Sequence, residues 1–303
     1  MQSVSRRLFL GLSTGALLAL TGCSLFSTRG PKGGSPEAWA AISNGAPVRV
    51  AVYAGPGARG VGMFRWTQLM DQAPEMQATY VDGPSIRAGA LREIDLLVMP
   101  GGMSNVEEDN LGLEGQQEVR RFIEEGGSYV GTCAGAYLAC KYTFVSDRDS
   151  LALRTENFKY LAPWPSCTRS CKLDDSWTDV TLDRKSPLLD YYDFGGDRQV
   201  DSVRHNGGNF ADVEHVWPEG TEILARYETT GREGLKMDLT GLPVIWSLKE
   251  SDTSGRVISC GSHPEGVTSG ERLDLMCAMV RYALDGNGSP VLKGVLNPGE
   301  ERI

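Results

Sequence analysis

Histidine is scarce in this chain: 303 residues contain three, His205, His215 and His263. Any chemistry that needs an imidazole base must draw on one of these. Metal-ligand patterns are short for the same reason. No histidine or second cysteine pair follows Cys167 and Cys171 at ligand spacing, so no metal site is expected. Positive charge is also in deficit. Thirty Lys and Arg stand against 39 Asp and Glu, a net charge of -9. They are scattered and form no basic stripe, which argues against a nucleic-acid partner. The glycine-rich "GPGARG" of residues 55–60 lacks the lysine that a phosphate-binding loop requires. No cofactor is expected. The apolar run over residues 8–20 falls below the roughly 20 residues of a spanning helix, which disfavours an uncleaved anchor.

What is present begins with a leader. "SRRLFL" at residues 5–10 resembles a twin-arginine export signature, with Gly11 where a lysine often follows. "LTGC" at residues 20–23 resembles a bacterial lipobox, in which Cys23 is lipidated and becomes the new N-terminus. The expectation is an exported lipoprotein, anchored to a membrane through its N-terminal lipid on the periplasmic or cell-surface side. Residues 1–23 form the signal peptide. Residues 24–46, rich in Gly, Ser and Pro, form a flexible tether. Six other cysteines remain. Cys167 and Cys171 lie in the loop-like "PSCTRSCK", and export permits a disulfide between them, with a metal site as the rival reading.

The folded domain is expected over residues 47–285, followed by a C-terminal tail at 286–303. "PVRVAVYAG", "MQATYVDG", "EIDLLVMPGG" and "SYVGTC" read as strands. "VGMFRWTQLMDQA", "GLEGQQEVRRFIEEGG" and "AGAYLACKYT" read as the helices between and after them. Continuous apolar strands alternating with helices imply an α/β fold with a mostly parallel sheet and helices on both faces. Residues 143–255 change character. "WTDVTLD", "EILARYE" and "PVIWSLKE" predict an antiparallel, β-rich elaboration or strands added at a sheet edge. "GRVISCGSHPE" returns as a late strand, and "ERLDLMCAMVRYAL" as a closing amphipathic helix.

In an open α/β sheet, ligands gather beyond the carboxyl ends of the strands. "MPGG", "GTCAG" and "GSHPE" all fall at such ends. "GTCAG" at residues 131–135 has the form of a nucleophile elbow with cysteine in the place of serine. Cys133 would then stand at a helix N-terminus that favours a thiolate. The rival reading is a small apolar cysteine packed in a core; Cys140, seven residues on, is taken as core. In "HPE", His263 and Glu265 are two apart and point the same way when extended. Glu265 can therefore hold the ring and leave its other nitrogen for Cys133. An ordinary surface histidine is the alternative. His205 and His215 are poorer candidates for the base. Glycine amides in "MPGG", with the amide of Ala134, could stabilise an oxyanion; a plain turn is the alternative.

"VYAGPGA", "LLVMPGG", "GGSYVGTCAGAY" and "SHPE", in this order, resemble the class I glutamine amidotransferase-like superfamily. Within it the similarity is to the domain at the N-terminus of eukaryotic biotin–protein ligases, which also stands alone in bacteria. The resemblance spans most of residues 47–285 and thins across 143–200. It implies a flavodoxin-like sheet and a Cys–His–Glu triad at Cys133, His263 and Glu265. It also implies oxyanion roles for Gly102 and Ala134. "HNGG" at residues 205–208 resembles a further glycine-rich element of the group. Gly101, Tyr137, His205 and Asn206 are the candidate substrate contacts. Glutamine-using members carry His-Gln three and four residues after the nucleophile. Ala136 and Tyr137 stand there instead, which puts glutamine as the substrate in question. With no synthetase domain and no phosphate loop, ligase activity is not expected.

Two functions follow from these residues. One is a cysteine hydrolase acting on a small-molecule or peptide-like amide. The other is a non-catalytic small-ligand-binding protein on the same fold. Nothing in the sequence sets the oligomeric state.

Overall fold

Alternating side chains turn the first strand into a two-faced element. β1 (Val48–Tyr53) sends Val48, Val50 and Val52 into one core cluster and Ala51 and Tyr53 into another. The same division runs through the strands beside it, so both faces of the sheet must be covered. The structure is a computed structural model and describes residues 47–71, 76–147, 150–154, 161–171, 176–230, 238–265 and 270–285. The leader with Cys23, the tether and the C-terminal tail lie outside the described residues.

In chain order, β1 is followed by α1 (Gly60–Asp71), β2 (Met76–Val81), α2 (Gly83–Arg87) and β3 (Leu96–Met99). Next come α3 (Ser104–Glu124), β4 (Ser128–Thr132) and α4 (Ala134–Ala139). Nine strands follow: β5 (Cys140–Asp147), β6 (Ser150–Arg154), β7 (Trp164–Cys171), β8 (Ser176–Leu182), β9 (Gln199–His205), β10 (Asn209–Ala211), β11 (Glu222–Glu228), β12 (Pro243–Lys249) and β13 (Arg256–Cys260). The last helix is α5 (Glu271–Leu284).

The main sheet has the order β2-β1-β3-β4-β13-β12-β11-β8-β9. From β2 to β13 every pairing is parallel, the 2-1-3-4-5 order of flavodoxin-like folds. From β13 outward to β9 every pairing is antiparallel. Trp66 and Met70 of α1 pack with Leu275 and Met279 of α5 over one face. Ile86, Val119, Phe122 and Leu138 from α2, α3 and α4 cover the other. Each fully buried aliphatic or aromatic side chain of this kind contributes about 1.5–3 kcal/mol. A second sheet, β10-β7-β5-β6, meets the first through Ala136, Cys140, Trp164 and Trp246.

Three local expectations are corrected. The helix expected over residues 134–143 stops at Ala139, and β5 begins at Cys140. Tyr142, Thr143 and Phe144 are aromatic or β-branched and prefer a pleated surface. Cys140 is core, as expected, but at the start of a strand, with Sγ 3.1 Å from Thr168 Oγ1. Second, Cys167 and Cys171 share the one strand β7. Four extended residues span about 13 Å, beyond the reach of a disulfide, and Cys167 is a buried free thiol. Third, the closing helix is not amphipathic in its surroundings. Every residue from Leu273 to Leu284 is buried, including Arg281, whose guanidinium lies 5.6 Å from the Tyr192 ring centre.

Candidate functional site

At the carboxyl edge of β4 the chain turns abruptly. Cys133 adopts φ 47°, ψ −99°, a left-handed conformation that costs a non-glycine residue of order 1–3 kcal/mol. Two glycines permit the turn. A Cβ on Gly135 would collide with the Met99 carbonyl, and one on Gly131 with the backbone of Gly135. Tyr129 Oη donates to the Gly135 carbonyl at 2.7 Å, and Cys133 N–H donates to the Cys260 carbonyl at 2.9 Å. The strain is thus held by the sheet on one side and the elbow on the other. Cys133 is 5% exposed, so its sulfur lies at the bottom of a cavity and not on the surface.

His263 reaches that cavity from the segment after β13. Its N–H donates to the Arg204 carbonyl at 2.8 Å within an isolated β-bridge. Its Nδ1 lies 2.9 Å from Glu265 Oε1, and its ring hydrogen-bonds the Cys133 side chain. Burial alone would lower the ring's pKa. The charges on Glu265 and Cys133, with their hydrogen bonds, outweigh it and push His263 up to about 11. The ring is therefore imidazolium at neutral pH. Thr132 Oγ1 donates to Glu265 Oε1 at 3.2 Å and fixes the buried carboxylate from β4.

The "MPGG" turn closes the third side. A Cβ on Gly101 would strike the His263 ring, and one on Gly102 would strike the Gly57 carbonyl. Met103 N–H donates to Gly57 O and Arg59 N–H to Gly101 O, both at 3.0 Å, so the "GPGARG" loop is stitched to this turn. Among the described residues, neither the Gly102 nor the Ala134 amide has a backbone acceptor in its turn; Ala134 opens α4, where the first amides lack helical partners.

The resulting cavity, about 90 Å³, is lined by Arg59, Val61, Gly62, Gly101, Gly102, Cys133, Arg204, Asn206, His263 and Glu265. Cys133, His263, Glu265, Gly101, Gly102 and Asn206 are thus brought together. The Asn206 carbonyl lies 3.9 Å from Cys133 Sγ. Tyr137 does not line the cavity; its hydroxyl donates to the Gly207 and Gly208 carbonyls at 3.0 and 2.9 Å, clasping the "HNGG" loop. His205 is displaced from the expected contact. It is fully buried, with Nδ1 3.1 Å from both Ser262 Oγ and Tyr227 Oη. His215 lies beside Asp212, with Nδ1 3.2 Å from its carboxylate.

Arg59, Arg204 and Gly62 were missed by the sequence reading. The position of "GPGARG" at the end of β1 was the available signal for Arg59. Another missed group is Glu107 in the first turn of α3, fully buried beneath Gly57 and Gly102 with no hydrogen bond to either carboxyl oxygen. Burial pushes its carboxyl up to about 8. A larger concavity of about 730 Å³ lies among Asp183, Arg184, Arg198, Arg226 and Thr240. It contains no cysteine or histidine, so the smaller cavity is the one equipped for nucleophilic chemistry. Among the described residues, no cluster of three His, Cys, Asp or Glu is placed to hold a metal ion.

Fold and site together define a doubly wound α/β protein with a cysteine elbow at the carboxyl edge of its parallel sheet. Within that class the chain belongs to the family of biotin–protein ligase N-terminal domains, whose model matches residues 48–276. It is 25% identical over 224 residues to an uncharacterised protein of Chlamydia muridarum (strain MoPn / Nigg), covering 72% of this chain and 80% of that one. It is similar to a solved glutamine amidotransferase at 18% identity and a TM-score of 0.48, over 79% of this chain and 98% of that one. Similarity also extends to the β-galactosidase of Bacillus circulans sp. alkalophilus, at 14% identity and a TM-score of 0.41. That match covers 78% of this chain and 30% of that one.

Proposed function

We propose that this protein is a cysteine hydrolase of amide or related acyl bonds. The Cys133 thiolate attacks the acyl carbon, and the Gly102 and Ala134 amides receive the negative charge that develops on the carbonyl oxygen. As the tetrahedral intermediate collapses, the C–N bond breaks and His263 gives its proton to the leaving amine. The ring, now neutral, takes a proton from water, which attacks the thioester and releases the acid and the thiolate. Glu265 acts through His263: it fixes the ring and stabilises its charged form. The observation that carries this reading is the convergence of a strained Cys133 with a carboxylate-held imidazolium in one cavity. The test is a screen of residues 47–285 against amide and ester libraries. Hydrolysis that Cys133→Ala abolishes is the expected result; hydrolysis that survives it, or none across the libraries, would reject the proposal.

The same proposal places the protein outside the cytoplasm on a lipid anchor. Its support is the "SRRLFL" and "LTGC" of the leader. Cys23→Ala is expected to move the protein from the membrane to the soluble fraction, and membrane retention would contradict the anchor.

A further inference from the structure

We infer that the Cys133 cavity takes short acyl groups bearing a carboxylate or similar small anion, bound through Arg59 and Arg204. This rests on the nucleophile reading above and supplies its substrate class. The chain as a whole carries a net charge of -9, yet two arginines line this small cavity beside an imidazolium. Both are tied by backbone to the site. Arg59 N–H donates to Gly101 O at 3.0 Å, next to the Ala58–Gly102 bridge. Arg204 is bridged to His263 itself. Each arginine is therefore placed by the same hydrogen bonds that place the oxyanion turn and the acid. They arrive from opposite sides, one from the loop after β1 and one from β9.

The acidic side of the cavity is already committed. Glu265 is its one lining carboxylate, and Oε1 accepts from Thr132 and binds His263 Nδ1. Arg59 is exposed and has no ion pair among the described residues. Three cationic groups thus face the Cys133 thiolate and Glu265, and the balance favours an anion from solution. The size limits the ligand. About 90 Å³ is room for about three water molecules at liquid density, so the acyl group must be short, with Val61 and Gly62 against its spacer. Guanidinium groups match carboxylates by paired N–H donors.

The test compares two alkylating agents of nearly equal size, iodoacetate and iodoacetamide. In both, the Cys133 sulfur forms a C–S bond as the C–I bond breaks and iodide leaves; the agents differ in the negative charge. The ratio of their second-order rates at Cys133 is measured against the same ratio for glutathione. The expected ratio exceeds the glutathione reference by about tenfold or more. Arg59→Gln and Arg204→Gln should each lower it about tenfold, the scale of one charge-assisted hydrogen bond. Arg65→Gln on α1 should leave it unchanged. Glutarate should protect Cys133 from iodoacetamide, and glutaramide should not. Raising salt from about 50 to about 500 mM should reduce the wild-type ratio, an arm that needs no variant to fold. A ratio equal to the reference overturns the inference. So does a high ratio kept by both arginine variants, which assigns the attraction to His263 alone. Absence of labelling by either reagent contradicts the nucleophile reading itself.

Discussion

At the carboxyl edge of the main sheet, β4 and β13 lie side by side in parallel register, with Gly131 opposite Ser259 and Thr132 opposite Cys260. Each strand delivers a cysteine to that edge, and the chain uses them differently. After Thr132 the backbone reverses through a positive φ at Cys133, and the thiol meets the His263 ring. After Ser259 the strand continues through Gly261 and Ser262, and Cys260 stays in the core with Sγ 3.5 Å from the Ser262 carbonyl. Burial raises the Cys260 thiol well above its ordinary pKa. The identity of the side chain therefore decides little. A strand that turns presents a thiol to a cavity, and a strand that runs on presents the next residues, here His263, to the same cavity. One edge supplies the nucleophile and the acid from two neighbouring strands because only one of them bends.

The comparison sharpens most at Glu265. Replacing it by Gln keeps the shape but removes the charge that holds the ring as imidazolium. Hydrolysis, or alkylation of Cys133 where no substrate is in hand, should fall about 10²-fold. The His263 titration, followed by NMR, should move down from about 11. An unchanged titration would detach Glu265 from the site.

A smaller effect separates the paired carboxylate from the unpaired one. Glu107 binds its proton more tightly folded than unfolded, with a pKa raised from 4.5 to about 8. The folded state therefore holds the extra proton between those values, and stability falls as pH rises from about 4.5 to about 8. His263, raised from 6.5 to about 11, adds a second decline at higher pH. Glu107→Gln has no proton to lose. Thermal unfolding at pH 5 and pH 8 should show the wild type losing more stability than this variant, by about 2 kcal/mol. Equal losses would place Glu107 in contact with water.

Most of the parallel sheet was legible because its strands are buried on both faces and read as continuous apolar runs, as in "LLVM" of β3. The edges were legible too. "MPGG", "GTCAG" and "HPE" each end a strand, and strand ends in this topology converge. The second sheet was not. No glycine or proline separates Ala139 from Lys141, so a helix passing directly into β5 carries no punctuation. Cys167 and Cys171 misled because compartment chemistry suggested a bridge where strand geometry forbids one. Arg59 and Arg204 have no periodic signature at all; isolated bridges between distant segments place them. Glu107 sits where an acid at a helix start is ordinarily solvated, and only the closure of the "GPGARG" loop above it reveals its burial.

The most direct test of the central claim is site-resolved labelling of the native protein by iodoacetamide at neutral pH, read at Cys133 and Cys260 by mass spectrometry. Cys133 should react at least about tenfold faster than glutathione, Cys260 should stay unlabelled, and His263→Ala should bring Cys133 down to the glutathione rate or below. If Cys133 reacts no faster than glutathione, or His263→Ala leaves its rate unchanged, the elbow is a packing feature and Cys133 is not the nucleophile of this fold.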